Sequence, residues 1–336
     1  MNKLTKRTLL AAAALCVIGG ILLAVGIGSG GLRFLASTNL TTMEPIASSS
    51  KLYEENKTKL DEFSSLNIDV AYLDLTVLPS EDDSCYLSYN VSGSSRENPF
   101  KYAVNNGTLS IKEDHSAASQ FFVGVDYSFL AQVLTGRIVT DGPDPEYDSM
   151  TLYLPAGKQL NDAVISGGDG DISIRGLQAD QFTLESSYGN LELSDTSARS
   201  ASFSLGDGDA DMDSVTLEQV DFDTSYGDVT MKNSSFGAVT LHAGDGDVTC
   251  ENNTFTGNCE FTLAYGDAFF RLDDQQKAAL SMEFQTDYGD ITITESLPNG
   301  AFTQFEDEDA KRYEKTGTAE GGTLSVACDD GDITLK

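Results

Sequence analysis

Pairs of aspartates that flank a glycine are the residues of this sequence best suited to chemistry. Three such pairs recur at one point of a repeated pattern: Asp169 and Asp171, Asp207 and Asp209, Asp245 and Asp247. Calcium prefers carboxylate oxygens of this kind. The calcium-binding β-roll pattern, G-G-x-G-x-D-x-U-x, is only partly met, because Ile172 stands where a ligand aspartate is required. We therefore expect weak, dispersed calcium binding at these six aspartates and no other cofactor.

Catalytic constellations are weak by comparison. The histidines, His115 and His242, lie far apart in sequence with no attached nucleophile motif, which argues against a triad. Glycan-cleaving enzymes use paired carboxylates, but acids produced by repetition are structural unless one pair differs from its neighbours. We predict that the protein is not an enzyme, with a glycan-active enzyme as the less favoured alternative.

A repeated glycine indicates which elements position the aspartates. Glycine followed by Asp or Asn recurs at Gly170, Gly189, Gly208, Gly227, Gly246, Gly266, Gly289 and Gly331. The first four steps are 19 residues each, the next two are 20 and 23, and the last is 42, which leaves room for two repeats. One such repeat cannot bury an inward face alone, so the repeats must stack.

Three positions of the repeat are apolar in every copy: five residues before the glycine, two after it and four after it. The residue between the last two positions is polar in every copy except Phe269. This alternation is typical of a half-buried strand. The predicted fold is all-β, a single-stranded parallel β-helix (β-solenoid) with rungs of about 19 residues.

The corner around each glycine has its own pattern. We expect the glycine to supply the positive φ of a tight turn. The following Asp or Asn is expected to form an Asx turn, in which the side chain accepts backbone N–H groups at the corner. The preceding residue alternates between Asp and Tyr from Asp169 to Tyr265, which spaces like charges about 10 Å apart along the stack.

The N-terminus predicts a membrane anchor. Lys3, Lys6 and Arg7 precede an uncharged, mainly apolar stretch at residues 8–32, and about 20 apolar residues span a bilayer. Basic residues favour the cytoplasmic side. Residues 1–32 are therefore expected to be a cytoplasmic tip and a transmembrane helix, with the rest of the chain outside a bacterial plasma membrane. A cleaved signal peptide is the alternative.

The remaining regions follow from changes in pattern. Residues 33–62 predict a stalk with a helical piece near 51–63, and residues 63–160 predict irregular first rungs and a cap, with an insertion near 115–145. Residues 161–336 predict the regular solenoid, with a solvated acidic excursion at 295–322. The chain stops within a strand at Lys336. This predicts an uncovered sheet edge, protected by charge or paired end to end with another chain.

Charge limits the choice of partners. The chain has 21 Lys and Arg against 53 Asp and Glu, a net charge of −32. Nucleic acids and anionic lipid surfaces would be repelled, whereas cations, basic proteins and neutral glycans remain open. The cysteines beyond the anchor, Cys85, Cys250, Cys259 and Cys328, are too scattered for a disulfide framework and are expected to be buried thiols.

One family shares these features. The basic N-terminus, the Gly-interrupted membrane helix, Leu154-Pro155-Ala156-Gly157 and the repeated [GS]-[DY]-G-[DN]-[ILV]-x-[ILM] together resemble the bacterial "putative adhesin" family of β-strand-repeat domains. The resemblance covers roughly residues 66–336. It implies a surface-exposed solenoid, from a family whose members occur beside envelope-stress systems, and it transfers no catalytic residue.

The predicted function is a membrane-anchored, extracytoplasmic and non-enzymatic module for surface binding, adhesion or envelope structure. The anchor binds the lipid bilayer through residues 8–32, and the partner of the solenoid is an envelope protein or a glycan. The alternative is an accessory sensor or regulatory protein of an envelope-stress system that signals through its membrane helix.

Overall fold

The computed structural model describes residues 38–39, 44–45, 50–94, 98–113, 148–294, 297, 301–307, 310–318 and 321–336. Within these ranges, no helix is long and apolar enough to cross a membrane. The predicted anchor at 8–32 lies outside the described residues, as does the insertion near 115–145.

The chain divides into two compact units. The smaller comprises Met1–Lys51, Ser94–Glu97 and Ala117–Gly142. In its described part, strand β1 (Thr38–Asn39) pairs antiparallel with β2 (Glu44–Pro45). The larger unit comprises Leu52–Gly93, Asn98–Ser116 and Pro143–Lys336, and it contains two extensive sheets.

The first, here called the long-strand sheet, has 14 strands among the described residues. Its strands, numbered along the chain and given in spatial order, are β25 (Thr303–Asp307), β26 (Ala310–Lys315), β23 (Ser281–Tyr288), β27 (Thr323–Asp330), β21 (Asn258–Tyr265), β18 (Ser235–Asp245), β16 (Thr216–Tyr226), β14 (Ser197–Leu205), β12 (Gln178–Ser186), β10 (Gln159–Gly167), β4 (Ser65–Asp69), β8 (Thr108–Glu113) and β7 (Phe100–Asn105), with β20 (Thr254–Phe255) beside β18.

The second, the short-strand sheet, has 12 strands in the described ranges. In spatial order they are β24 (Ile291–Ile293), β28 (Ile333–Leu335), β22 (Ala268–Arg271), β19 (Val248–Glu251), β17 (Val229–Lys232), β15 (Ala210–Asp213), β13 (Leu191–Ser194), β11 (Ile172–Arg175), β5 (Asp74–Pro79), β9 (Ser149–Leu154), β6 (Tyr86–Ser94) and β3 (Ser50–Lys59). Helix α1 (Asp274–Ala279) lies between β22 and β23 in the chain.

Each repeat contributes one strand to each sheet, so the fold is all-β and solenoid-like. The pairing along the stack is parallel, with residues one repeat apart directly opposite each other, as in Leu184 opposite Phe203 and Phe203 opposite Phe222. The three predicted apolar columns face inward. All their members are buried except Ile293, which is partly buried against the core. The predicted stacking of like side chains is therefore confirmed.

A second corner, not predicted from the sequence, follows the short strands β11, β13, β15, β17 and β19. The residue there adopts a left-handed conformation in five consecutive repeats: Gly176, Asp195, Ser214, Asn233 and Asn252, with φ between +50° and +77°. Gly and Asn adopt this region most cheaply. Because the residue type at this corner varies from repeat to repeat, the sequence pattern does not reveal that these residues are equivalent.

The C-terminal rungs are not stacked in chain order. Strand β27 lies between β21 and β23, and β28 lies between β22 and β24. The expectation that Lys336 ends an uncovered edge is therefore wrong. The acidic excursion contains a hairpin rather than only solvated loop, because β25 pairs with β26 and β26 pairs with β23, both antiparallel.

The N-terminal half of the large unit begins the same stack. Strands β4 and β5 pair parallel with β10 and β11, and β8 and β9 form the next layer. Strands β6 and β7 then pair antiparallel with β9 and β8. The helix predicted near residues 51–63 is wrong, since most of that segment forms β3.

Candidate binding site at the glycine corner

The glycine corner joins each long strand to the following short strand. A Cβ atom added to Gly189 would overlap the carbonyl oxygen of Gly170, and one added to Gly208 would overlap that of Gly189. The same relation continues through Gly227, Gly246, Gly266, Gly331 and Gly289. The rungs therefore approach each other too closely at this corner for any side chain.

Backbone conformation explains only part of this glycine column. Gly227, Gly246 and Gly266 have φ of +126°, +152° and +139°, as the turn argument predicts. The other five glycines of the column do not have positive φ. For these five glycines the expectation of a positive φ was wrong. The close approach of the neighbouring backbone explains why glycine is required there.

The Asp or Asn after each glycine forms a hydrogen-bonded ladder, here called the Asx ladder. Its side-chain Oδ1 accepts the backbone N–H of the equivalent residue in the next rung, as in Asp209 N–H to Asn190 Oδ1 at 3.0 Å and Asp228 N–H to Asp209 Oδ1 at 2.9 Å. The ladder runs from Asp74 through Asp171, Asn190, Asp209, Asp228, Asp247, Asp267 and Asp332 to Asp290. These side chains therefore join rungs, and the expected Asx turn within one corner is not what they form.

The residue before each glycine forms a second column, here called the Tyr–Asp ladder. In spatial order it reads Tyr72, Asp169, Tyr188, Asp207, Tyr226, Asp245, Tyr265, Asp330 and Tyr288. All nine side chains are exposed, and the tyrosines have between 50% and 65% of their surface accessible. Such large exposed rings in a regular row are unusual on a soluble surface.

Backbone hydrogen bonds fix the register of this ladder. The N–H of Tyr188 donates to Gly168 O at 2.9 Å, that of Asp207 to Ser187 O at 3.0 Å and that of Tyr226 to Gly206 O at 2.8 Å, so each bonds to the residue that precedes the neighbouring member. Asp169 donates to Ala71 O in the same way. Tyr72 is therefore the first member, although Leu73 replaces the glycine of the repeat there.

The spatial order completes the alternation that the sequence appeared to break. Tyr265 and Tyr288 belong to consecutive repeats along the chain, but Asp330 lies between them in the sheet. Tyrosine and aspartate therefore alternate without exception along this ladder.

Two grooves run beside the Tyr–Asp ladder. One has a volume of about 490 Å³ and is lined by residues that include Ser187, Gly206 and Tyr226. The other has a volume of about 720 Å³ and is lined by residues that include Thr224 and Tyr265. Among the described residues, the buried Thr224 Oγ1 has no hydrogen-bond partner.

The six aspartates considered for calcium do not form one cluster. Asp169, Asp207 and Asp245 belong to the Tyr–Asp ladder, where a tyrosine separates each from the next. Asp171, Asp209 and Asp247 belong to the Asx ladder. In the part of the chain that the structure describes, no group of three or more His, Cys, Asp or Glu is arranged to hold a metal ion.

The remaining reactive side chains of the described ranges are four thiols and one histidine. The cysteines of the described ranges are free and buried: Cys85, Cys250, Cys259 and Cys328. Burial raises the pKa of Cys259 and Cys328 to about 12, which keeps these thiols protonated and unreactive. His242 is exposed opposite Asp223 on the outer face of β18, and His115 lies outside the described residues.

The sequence analysis identified the columns of the Asx ladder and the Tyr–Asp ladder but missed their first members, Asp74 and Tyr72. Tyr72-Leu73-Asp74 has the Tyr and Asp of the repeat, yet lacks the glycine on which the repeats were aligned. A search for Y-x-D or D-x-D before an alternating strand would have included it.

Comparison with known proteins gives a family and several similar structures. A family model described as Toastrack DUF4097 matches residues 63–336. No curated protein sequence shows significant similarity. A crystal structure described as a "putative adhesin" from Bacteroides fragilis NCTC 9343 is 14% identical with a TM-score of 0.47, over 86% of this chain and 99% of that chain.

Two further structures are more distant in superposition. One, described as a "putative cell adhesion protein" from Clostridium sporogenes ATCC 15579, is 12% identical with a TM-score of 0.26, over 86% of this chain and 99% of that chain. One described as a "Putative lipid binding protein" from Parabacteroides distasonis ATCC 8503 is 11% identical with a TM-score of 0.35, over 86% of this chain and 97% of that chain.

Proposed function

We propose that this chain, which belongs to the Toastrack DUF4097 family, is a non-enzymatic binding module that a bacterium displays outside its plasma membrane. The parallel β-helix of residues 63–336 carries the binding surface, and the apolar residues 8–32 anchor it in the bilayer. The family is defined as a domain of unknown function, so the proposal rests on the surface of this chain.

The observation that carries the proposal is the Tyr–Asp ladder. Its nine members are exposed, and backbone hydrogen bonds between rungs fix their spacing. A surface held in this way loses little conformational entropy when it binds, because the backbone is already ordered. Tyrosine adds both apolar area and a hydrogen-bonding hydroxyl.

The distribution of reactive groups supports a binding role over catalysis. The described thiols are buried, and half of the candidate acids serve as acceptors in the Asx ladder. Incubation of the full-length chain with envelope polysaccharides should leave their chain lengths unchanged. Accumulation of shortened products would contradict the non-enzymatic assignment.

Binding can be tested by cosedimentation of the labelled full-length chain with protein-free envelope polymers and with intact cells of the source bacterium. Saturable binding that an excess of unlabelled chain displaces is the expected result. A complete absence of displaceable binding to every envelope fraction would overturn the proposed function.

The location can be tested separately with reporters fused after Lys336. A phosphatase that is active only outside the cytoplasm should be active, and a galactosidase that is active only inside should not. The reverse pattern would place the solenoid in the cytoplasm and contradict the display of the module.

A further inference from the structure

The Tyr–Asp ladder has a period of two rungs. Adjacent strands of a sheet lie about 4.8 Å apart, so tyrosines recur about every 9.6 Å, and so do the aspartates between them. The insertion of β27 between β21 and β23 extends this period to Tyr288. A ligand that uses the whole ladder must therefore be linear and must repeat over the same distance.

From Asp169 to Asp245, the residues beside the ladder share this period. Glycine precedes the aspartate at Gly168, Gly206 and Gly244, whereas Ser187 and Ser225 precede tyrosine. A Cβ atom on Gly206 would overlap the carbonyl oxygen of Ser187. The close approach of the neighbouring backbone therefore requires glycine before Asp207. Each of these aspartates consequently adjoins a position without a side chain, between two projecting rings.

The chemistry of the two side chains defines complementary ligand groups. The face of a tyrosine ring packs on the C–H face of a pyranose and attracts cations. A carboxylate accepts hydrogen bonds from hydroxyl groups and pairs with ammonium groups. The net charge of −32 favours a cationic ligand and repels acidic polymers.

We propose that the Tyr–Asp ladder binds a linear β-1,4-linked polysaccharide whose sugars carry free amino groups. Alternate sugars of an extended β-1,4-linked chain present the same face, and one disaccharide is close in length to two rungs. Alternate rings then stack on successive tyrosines, and ammonium groups lie opposite the intervening aspartates. This inference rests on the proposed function and names its ligand.

A basic peptide fits the ladder less well. An extended peptide repeats every two residues at about 6.8 Å, so its side chains lose register with the tyrosines within a few rungs. A polysaccharide with a disaccharide repeat keeps its register along the full ladder.

The test is titration of the full-length chain with the β-1,4-linked hexamer of glucosamine, by calorimetry and by tyrosine fluorescence. The chain contains 13 Tyr and no Trp, so its intrinsic emission comes from tyrosine. Saturable binding with a change in emission is expected. The double variant Tyr188→Ser/Tyr226→Ser and the single variant Asp207→Asn should each raise Kd about tenfold or more, as for anchors at the centre of an interface.

Asp221→Asn is the matched control, because Asp221 is an exposed acid on the outer face of β16, away from the ladder. It should leave Kd unchanged. All the altered residues are exposed, and an unchanged midpoint of thermal unfolding verifies that the variants fold. Equal weakening by Asp221→Asn, or equal displacement by spermine, would show generic attraction of cations and overturn the inference.

Three further outcomes distinguish failure of this inference from failure of the proposed function. Equally tight binding of the fully N-acetylated hexamer would overturn the requirement for amino groups. If the ladder variants bind envelope polymers as tightly as the wild type, the ligand site named here is wrong while the binding module stands. If the wild type binds no envelope fraction, the proposed function itself fails.

Discussion

The glycine residues at the corner are required by contacts with the neighbouring rung. A Cβ atom at Gly189 would meet backbone atoms of Gly170 and Asp171, which cannot move aside as a flexible side chain can. Gly157 provides a matched comparison, because it has φ of +76° but nothing within 4 Å of an added Cβ atom.

We expect Gly189→Ala to lower the free energy of unfolding by about 3 kcal/mol through overpacking, and Gly157→Ala by about 1 kcal/mol through backbone strain alone. Urea unfolding monitored by circular dichroism measures both. Equal losses for the two variants would mean that backbone conformation, and not the contact between rungs, requires glycine at 189.

Two buried threonines differ in whether the hydroxyl has a partner. Thr286 Oγ1 donates to Gly331 O at 2.9 Å, whereas Thr224 Oγ1 has no partner among the described residues. Removal of an unsatisfied buried hydroxyl is favourable, and removal of a satisfied one is not.

Thr224→Val is therefore expected to raise the free energy of unfolding by about 1 kcal/mol, and Thr286→Val to lower it by about 1 kcal/mol. The two substitutions change volume and burial in the same way, so each serves as the control for the other. Thermal and urea unfolding would reveal the opposite signs, and a shift in the same direction for both would contradict the argument.

Within the sheets, alternation of tyrosine with aspartate keeps like charges two rungs apart. Tyr226→Asp would place three carboxylates on adjacent rungs, at Asp207, residue 226 and Asp245. We expect a loss of about 1 kcal/mol in stability at low salt, since charges about 5 Å apart near a surface repel appreciably.

The dependence of stability on salt concentration shows whether the loss is caused by charge repulsion. At about 1 M NaCl the Debye length falls to about 3 Å, so most of the loss in Tyr226→Asp should disappear. Tyr226→Asn, which is uncharged, is the control for loss of the ring. A deficit of Tyr226→Asp over Tyr226→Asn that persists in high salt would exclude repulsion as its cause.

The repeat made the long and short strands predictable, because inward columns such as Ile172 and Leu191 must be apolar in every rung. The second corner was not predictable in the same way. Asp195, Ser214 and Asn233 share a left-handed backbone but not a residue type. The Asp and Tyr columns were found from the sequence, while their hydrogen bonding between rungs depends on the register of neighbouring strands.

For the whole molecule, the order of the C-terminal rungs is the feature that sequence could not supply. A step of 42 residues between Gly289 and Gly331 is long enough for two repeats. The structure instead uses it for one hairpin, β25–β26, and for a return of the chain into the stack. Apolar spacing alone is the same for either order, because every rung presents equivalent inward residues.

The return of the chain makes residues 323–336 an internal layer and not a dispensable end. Strand β27 pairs with β21 on one side and with β23 on the other. Deletion of residues 323–336 should therefore remove the layer on which β23 and β24 stack, since each rung of a solenoid is stabilised mainly by its neighbours.

Hydrogen exchange measures this effect segment by segment. In the deletion variant, amides of Ser281–Tyr288 should lose their protection, while those of Gln178–Ser186, five long strands away from β27, should keep theirs. Retained protection in Ser281–Tyr288 would mean that antiparallel pairing with β26 is enough to hold β23 in place. It would contradict the argument that residues 323–336 form a layer on which β23 depends.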